Sequence, residues 1–414
     1  MSNRFIHAAD LHLDSPFVGI GTLREGLDDV MRDASLAAWD ALVDCCLDEG
    51  AAFLVLAGDL FDRADGTPRG RSRVRRGIER LHAAGIRVFA IHGNHDPLSG
   101  RSPLQGLEGV TVFRKDVPTS ETFEGPTGPV TVHGVSFGKR EVTDNLALAF
   151  ERGDAPGLHV GVLHCSLGER EGHGHYAPCS VGDLVAARMD YWALGHIHAY
   201  SEENAEPPIV YAGTLQGRSP KPGERGPHGA VVVEFEGDRV LSHRRVELDR
   251  VRFEAIDVAI DELDDEAALE RELRQRAASI VAVADGRLVL LRVTLTGRGP
   301  LHEVLVRDDY LAGLRSALDD QEDAELVWER IASTAGPAVD LDDLRQSNAF
   351  AAEVLAVFDE LAADPVAAEQ LLETLAGSFT DSALTGLATD DPATRLASAR
   401  DLALGLLLEQ GGTA

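Results

Sequence analysis

Short apolar runs rich in β-branched residues alternate with amphipathic stretches through residues 4–198. RFIHAA (4–9) is followed by a helix around 28–49, FLVLAG (53–58), a helix around 70–84 and IRVFAIHG (86–93), and later by HVGVLH (159–164) and YWALGHIH (191–198). The runs have the length of buried strands, and the 3.6-residue repeat between them marks covering helices. The alternation predicts an α/β fold. From 208 on, PIVYAG, GAVVVEFEG and RVLSHRRVEL follow one another with no helix between them and extend the sheets.

The pattern changes near residue 250. Because 414 residues exceed one ordinary core, residues 1–250 are expected to form a catalytic domain. Residues 251–300 read strand, helix, strand (VRFEAIDVAI, EAALERELRQRAASI, GRLVLLRVTLTG) and predict a small α/β unit. Residues 301–414 are rich in Ala and Leu and predict a helical C-terminal region. The helices around 339–409 carry apolar stripes that need cover, from their own domain or from a partner helix. No apolar run reaches the roughly 20 residues of a membrane helix. The start, MSNRFIHAADLHLD, shows no charged leader with a long apolar stretch, so a soluble, cytoplasmic protein is expected.

Charge narrows the partners. A formal charge of -30 argues against binding nucleic acid by global attraction, so any such contact is local. Arginines crowd the segment from Arg63 to Arg87, where they either contact phosphates or form a solvated helix face; the lysines are only Lys115, Lys139 and Lys221. Cys45, Cys46, Cys165 and Cys179 have neither disulfide-framework nor CxxC spacing and read as inert thiols.

The chemistry lies where the strands end. DLH, GDLFD, GNHD, HCS and GHIH each fall at or just beyond the C-terminal end of an apolar run, where α/β sheets assemble their sites. Hard divalent cations take oxygen and imidazole ligands, and a pair about 3.5–4 Å apart needs ligands on both sides and a shared carboxylate. Asp10, His12, Asp59, Asn94, His164, His196 and His198 supply that set. Any one of these elements is weak, since a DxH or HxH is more often structural, but five in order are specific. His7, His92 and His133 lie within strand-like runs and read as structural histidines. His173 and His175 read equally as cleft-lining or merely exposed. The loop YAGTLQGRSPKPGERGPHG, with Gln216, Arg218, Lys221 and His228, either touches substrate or only turns the chain.

The order DLH, GDLFD, GNHD, HCS, GHIH closely resembles the calcineurin-like metallophosphoesterase superfamily over residues 4 to about 235. HAADLHLDSPF and HYAPCSVGDLVAARMDYWALGHIH are similar to the SbcD branch of DNA double-strand-break repair nucleases, in its bacterial YhaO-type subgroup. The resemblance implies a four-layer αββα catalytic sandwich, a small α/β capping domain and a helical C-terminal region that binds an SMC-like coiled-coil ATPase. It implies two divalent ions, Mn²⁺ first with Mg²⁺ or Fe²⁺ as alternatives. Asp10, His12, Asp59 and His198 would hold one, and Asp59, Asn94, His164 and His196 the other, with Asp59 as bridge. His95 would contact the phosphate and protonate the leaving oxygen, oriented by Asp62 or Asp96 unless either is a plain loop cap. Archaeal and eukaryotic relatives tend to carry histidine at the position of Asp62. GDLFDR also resembles the phosphoprotein phosphatases, whose motif continues with Gly where this chain has Ala64.

The expected function is a DNA nuclease of DNA repair, exonuclease or single-strand endonuclease, with a homodimer through helix 28–49 as a further expectation. Two alternatives are weighed: a phosphatase or phosphodiesterase on small nucleotides or phosphoproteins, and a regulatory subunit of an SMC-like complex. The metal set alone does not choose between substrates.

Overall fold

A computed structural model describes residues 3–14, 26–63, 66–99, 102–168, 176–319, 324–338 and 341–364, with single positions at 371, 396, 399, 400, 403 and 404. His173, His175 and most of the terminal helices expected beyond 365 lie outside the described residues. The chain divides into two compact units, one of residues 1–254 with 286–290, the other of 255–285 and the described residues from 291 on. No described helix is long and apolar enough to cross a membrane.

The first unit contains two six-stranded sheets. β1 (Asn3–Ala8), β2 (Phe53–Ala57), β3 (Arg87–Ile91) and β4 (Val110–Val112) run parallel, with β11 (Gly229–Glu236) and β12 (Arg239–Glu247) added antiparallel beside β1. In the second sheet β6 (Gly128–Gly134), β7 (Leu158–His164), β8 (Tyr191–Gly195) and β10 (Pro208–Tyr211) run parallel between antiparallel edges β5 (Thr119–Gly125) and β9 (Ser201–Ala205).

Strand periodicity distributes the side chains between layers. Phe5, Phe53, Val55, Phe89, Val160 and Tyr191 fill the space between the sheets. Their neighbours Ile6, Leu54, Leu56 and Val88 point outward against Trp39 and Leu42 of α1 (Leu27–Asp48) and Ile78 and Leu81 of α2 (Pro68–Ala83). Trp192, Leu194 and Tyr211 face the other way, against Leu184 of α3 (Val181–Ala186) and Phe150. Side chains alternating across strands therefore build three apolar layers, and the expected αββα sandwich follows.

The arginine-rich segment becomes α2, and its charges turn to α1: Arg69 pairs with Asp33 at 2.5 Å, Arg80 with Asp44 at 2.7 Å, and Arg73 with Asp40. These three are engaged within the fold. β13 (Val251–Ala259), α4 (Glu266–Val283) and β14 (Leu288–Thr296) appear as expected, with Ala255–Ala259, α4 and Leu291–Thr296 in the second unit. The stretch from 301, read as helical, contains a strand at Leu326–Ser333 that joins β14 in the same sheet. The α/β unit therefore does not end at 300. The misleading signal is the acidic stretch DDQEDAE (319–325) before it; the strand itself reads LVWERIAS, and Val327 and Trp328 are buried.

His7, His92 and His133 all have buried partners. His92 Nδ1 donates to the Asp96 carbonyl at 2.7 Å and its Nε2 meets the Ser102 hydroxyl at 2.8 Å. His133 Nε2 lies 2.9 Å from His159 Nδ1. His7 bridges the two sheets: Nε2 donates to the Leu194 carbonyl at 3.1 Å, and Nδ1 accepts from Tyr191 Oη at 3.2 Å. Burial lowers the His7 pKa from 6.5 to about 3. A folded-state pKa below the unfolded one means stability that is complete above pH 6.5 and lost as pH falls toward 3. His7→Gln, which keeps the donor to Leu194, is expected to remove about 3 kcal/mol of the stability loss between pH 7 and pH 4, read from urea unfolding at both pH values.

Candidate metal centre

All seven sequence-predicted ligands gather at the C-terminal ends of the parallel strands of both sheets. Asp10 and His12 follow β1, Asp59 follows β2, Asn94 follows β3, His164 ends β7, and His196 and His198 follow β8. Six of the seven are buried, His198 partly. The β1–β2 ladder continues past the strand ends: Asp10 N donates to the Gly58 carbonyl at 3.1 Å, His12 N to Asp59 at 3.0 Å and Leu13 N to Leu60 at 3.0 Å. Two loops thus run side by side into the site.

The backbone is strained where the ligands sit. Ten described non-glycine residues have positive φ, and Asp10, His12, Asp59 and His196 are four of them. Left-handed backbone costs a residue with Cβ roughly 1–2 kcal/mol, and such strain concentrates at functional sites. Two glycines give the side chains room. A Cβ on Gly58, whose φ is +95°, would lie 2.5 Å from His164 Nδ1, and one on Gly93 would strike the Asp59 carboxylate. The glycine before the ligand in GDLFD and in GNHD therefore has a steric reason.

Ligand atoms fall into three overlapping groups, each within 4.8 Å: Asp10 with His12 and His198, Asp10 with Asp59 and His164, and His12 with Asp62 and His95. Asp10 is common to the first two, whereas the sequence reading gives the shared role to Asp59. His164 Nδ1 donates to the Ala57 carbonyl at 3.0 Å, so its Nε2 faces Asn94 Oδ1 at 2.9 Å and Asp59 Oδ2 at 3.4 Å. His196 contributes its backbone N–H to both Asp10 oxygens, at 3.1 and 3.0 Å, and its ring lies edge-on to His164.

The supporting shell lies largely in a loop that sequence left open. Asp62 Oδ1 accepts from His12 Nδ1 at 2.6 Å and stands 3.7 Å from His95 Nδ1. Its hydrogen bond goes to His12, so Asp62 orients that imidazole rather than His95. Asp96 does not orient His95 either, because its carboxylate accepts from Leu60 N at 2.9 Å and Gly93 N at 3.0 Å. Glu224, unremarked in the sequence, accepts from His198 Nδ1 at 3.1 Å and from Arg218 N at 2.6 Å. The Arg218 guanidinium reaches Asp62 at 3.0 Å. Arg218 therefore ties the two carboxylates together. Gln216, by contrast, only turns the chain, bonding the backbone of Val251 and Arg250. No motif spacing points to Glu224, since 26 residues separate it from His198.

These partners fix the tautomers. With Nδ1–H of both His12 and His198 directed at carboxylates, their Nε2 atoms face each other at 3.2 Å, lone pair to lone pair when both rings are neutral. That arrangement repels unless a positive charge joins it. Neighbouring ligands on one cation stand about 3.0–3.4 Å apart when each bond is about 2.1 Å, so the pair fits a divalent ion. Charge is tightly coupled across the site. Burial alone would raise Asp59, but His164, His12 and His95 hold it well below the usual carboxylate range. Burial would lower His164, yet Asp59 drives it up to about 9. Burial opposes Glu224 ionising as well, but His198 and Arg218 bring it down to about 2.

Glu224→Ala is expected to weaken divalent-cation affinity about 10–100-fold, the usual loss when a carboxylate behind a ligating imidazole is removed. Mn²⁺ titration followed by electron paramagnetic resonance reads this directly, and Glu224→Gln is expected to recover part of it by keeping an acceptor for His198.

Comparison with known proteins places this geometry. A profile of the calcineurin-like phosphoesterases matches residues 3–200, and one for the middle domain of metallophosphoesterase YhaO matches residues 253–335, which includes the strand at Leu326–Ser333. The uncharacterized metallophosphoesterase YhaO of Bacillus subtilis is 36% identical over 332 residues, covering 78% of this chain and 79% of that protein. Two DNA double-strand break repair proteins Mre11 are more distant. That of Thermoplasma acidophilum is 25% identical, covering 65% of this chain and 72% of its own length, and that of Methanopyrus kandleri is 23% identical, covering 92% and 83%. The chain is a metal-dependent phosphoesterase that belongs to the calcineurin-like metallophosphoesterases, in the group with a YhaO-type middle domain.

Proposed function

We propose that this protein is a two-metal phosphodiesterase that acts as a DNA nuclease, as an exonuclease on duplex ends or an endonuclease on single strands, in company with an SMC-like ATPase. The observation that supports the chemistry most is the pair of imidazole Nε2 atoms, of His12 and His198, facing each other at 3.2 Å beside buried Asp10. DNA as substrate draws its support from relatives whose names are those of DNA double-strand break repair proteins. Asp10, His12, Asp59 and His198 would hold one ion, and Asp59, Asn94, His164 and His196 the other; the oxygen and imidazole donors suit Mn²⁺ and would accommodate Mg²⁺ or Fe²⁺. When bound, such a pair supplies Lewis-acid stabilisation of phosphoryl charge and water activation.

The chain's own groups do the rest. His95 is part-exposed beside the ligands, with its backbone N–H on Asp59 Oδ1 at 2.8 Å, its ring edge-on to His12 and its Nδ1 3.7 Å from Asp62 Oδ1, which leaves the ring edge open to a phosphodiester. In this reading it holds a phosphate oxygen and delivers the proton to the leaving oxygen. Asp62 and Glu224 position His12 and His198. The terminal helices are the proposed ATPase-docking segment, and α1 the proposed homodimer face.

The test is cleavage of end-labelled single-strand, duplex and hairpin DNA across Mn²⁺ and Mg²⁺ titrations. Cleavage is expected in Mn²⁺, with His95→Gln lowering kcat by about 10²–10⁴-fold while leaving metal binding intact, and Asp59→Ala abolishing both. DNA left whole by the metal-loaded protein, with and without its ATPase, would sink the nuclease reading. Hydrolysis of small diesters without DNA cleavage would assign the site to small nucleotides instead.

A further inference from the structure

Strands that run parallel send their following loops to the same end of a sheet. β4 is parallel to β3, and β6, β7, β8 and β10 are parallel to one another. The segments that leave β4, β6 and β10 therefore emerge at the end where Asn94, His164 and His196 meet. The chain's three lysines, Lys115, Lys139 and Lys221, lie one on each of these segments.

Two of the segments are fastened to the turn that carries Asn94 and His95. Phe113 N donates to the Ala90 carbonyl at 3.0 Å, and Ser136 N to the Arg114 carbonyl at 2.9 Å. His92 N donates to Ser136 Oγ at 3.1 Å, Phe137 N to the His92 carbonyl at 2.9 Å, and Leu98 N to the Phe137 carbonyl at 2.7 Å. The Phe137 ring stands edge-on to His164, centroids 5.6 Å apart. Arg114, Lys115, Lys139 and Arg140 are exposed, and among the described residues no ion pair holds them, in contrast to Arg69, Arg73 and Arg80. Exposed Asp116, Glu141 and Asp144 share these segments, so residues 113–118 and 135–145 together carry four cationic and three anionic side chains, a net charge of +1 in a chain whose total is -30.

We propose that Arg114, Lys115, Lys139 and Arg140 form a cationic rim that holds the phosphate backbone of a nucleic-acid strand as it passes from the metal centre. The inference rests on the nuclease reading and adds to it the side on which the strand runs. Exposed cations without partners contribute by releasing counterions from phosphates, a contact that is independent of sequence and weakened by salt. A small diester has no second phosphate to reach the rim.

Full-length protein carrying Arg114→Ala, Lys115→Ala, Lys139→Ala and Arg140→Ala is compared with wild type, both in Mn²⁺. The substrates are a labelled oligonucleotide over a salt series and bis(4-nitrophenyl) phosphate. The expected result is an oligonucleotide KM raised about tenfold or more, a log–log salt slope flattened by roughly 2–4, and small-diester kcat/KM within about twofold of wild type. Unchanged KM and slope in the variant would overturn the rim and leave the nuclease reading standing. A wild type that hydrolyses the small diester but neither binds nor cuts the oligonucleotide would overturn both. Should the fourfold variant fold poorly, Lys139→Glu and Arg114→Glu, each a single exposed change, carry the comparison: a raised oligonucleotide KM with intact small-diester activity supports the rim, and an unchanged one overturns it.

Discussion

Two carboxylates, Asp10 and Asp59, are buried among imidazoles at the meeting point of two sheets. Negative charge taken out of water costs several kcal/mol per ion unless positive charge comes with it. The residues around these carboxylates are histidines whose outward nitrogens are committed to a carbonyl or a carboxylate: His164 to Ala57, His12 to Asp62, His198 to Glu224. Each therefore turns its other nitrogen inward. The result is a nest of acceptors that protons satisfy at a cost and divalent cations satisfy directly.

That requirement explains features that would otherwise be unrelated. The parallel strands deliver ligands from both sheets to one end, since side chains beyond the C-terminal ends of parallel strands can converge there. The left-handed backbone at Asp10, His12, Asp59 and His196 is tolerated because ladder bonds and carboxylate contacts on both sides fix it. The small residues at Gly58 and Gly93 keep the centre open to His164 and Asp59. Behind it, Arg218 links Asp62 to Glu224, so the supports of His12 and His198 are joined through one residue.

Much of this was legible in the sequence because strand ends announce themselves. Alternating apolar runs located β1, β2, β3, β7 and β8, and polar residues just past them marked the loops that meet. The partners of those loops were harder to read. The family resemblance offered Asp62 or Asp96 to orient His95, but the β1–β2 ladder brings His12 nearer to Asp62, and proximity decides the hydrogen bond. Glu224 lies in a Gly- and Pro-rich loop whose conformation no periodicity specifies. The strand at Leu326–Ser333 was hidden by the acidic block before it, because a short apolar run gains its identity from the sheet that accepts it. Charge spacing likewise did not reveal that Arg69, Arg73 and Arg80 face α1 rather than a ligand.

The central claim is that this nest of acceptors holds two divalent cations at once, close enough to share a carboxylate. Electron paramagnetic resonance of the purified full-length chain titrated with Mn²⁺ tests it most directly. The account predicts two ions per chain with the spin–spin coupled spectrum of a dinuclear centre. Saturation at a single uncoupled ion, or at none, would contradict it.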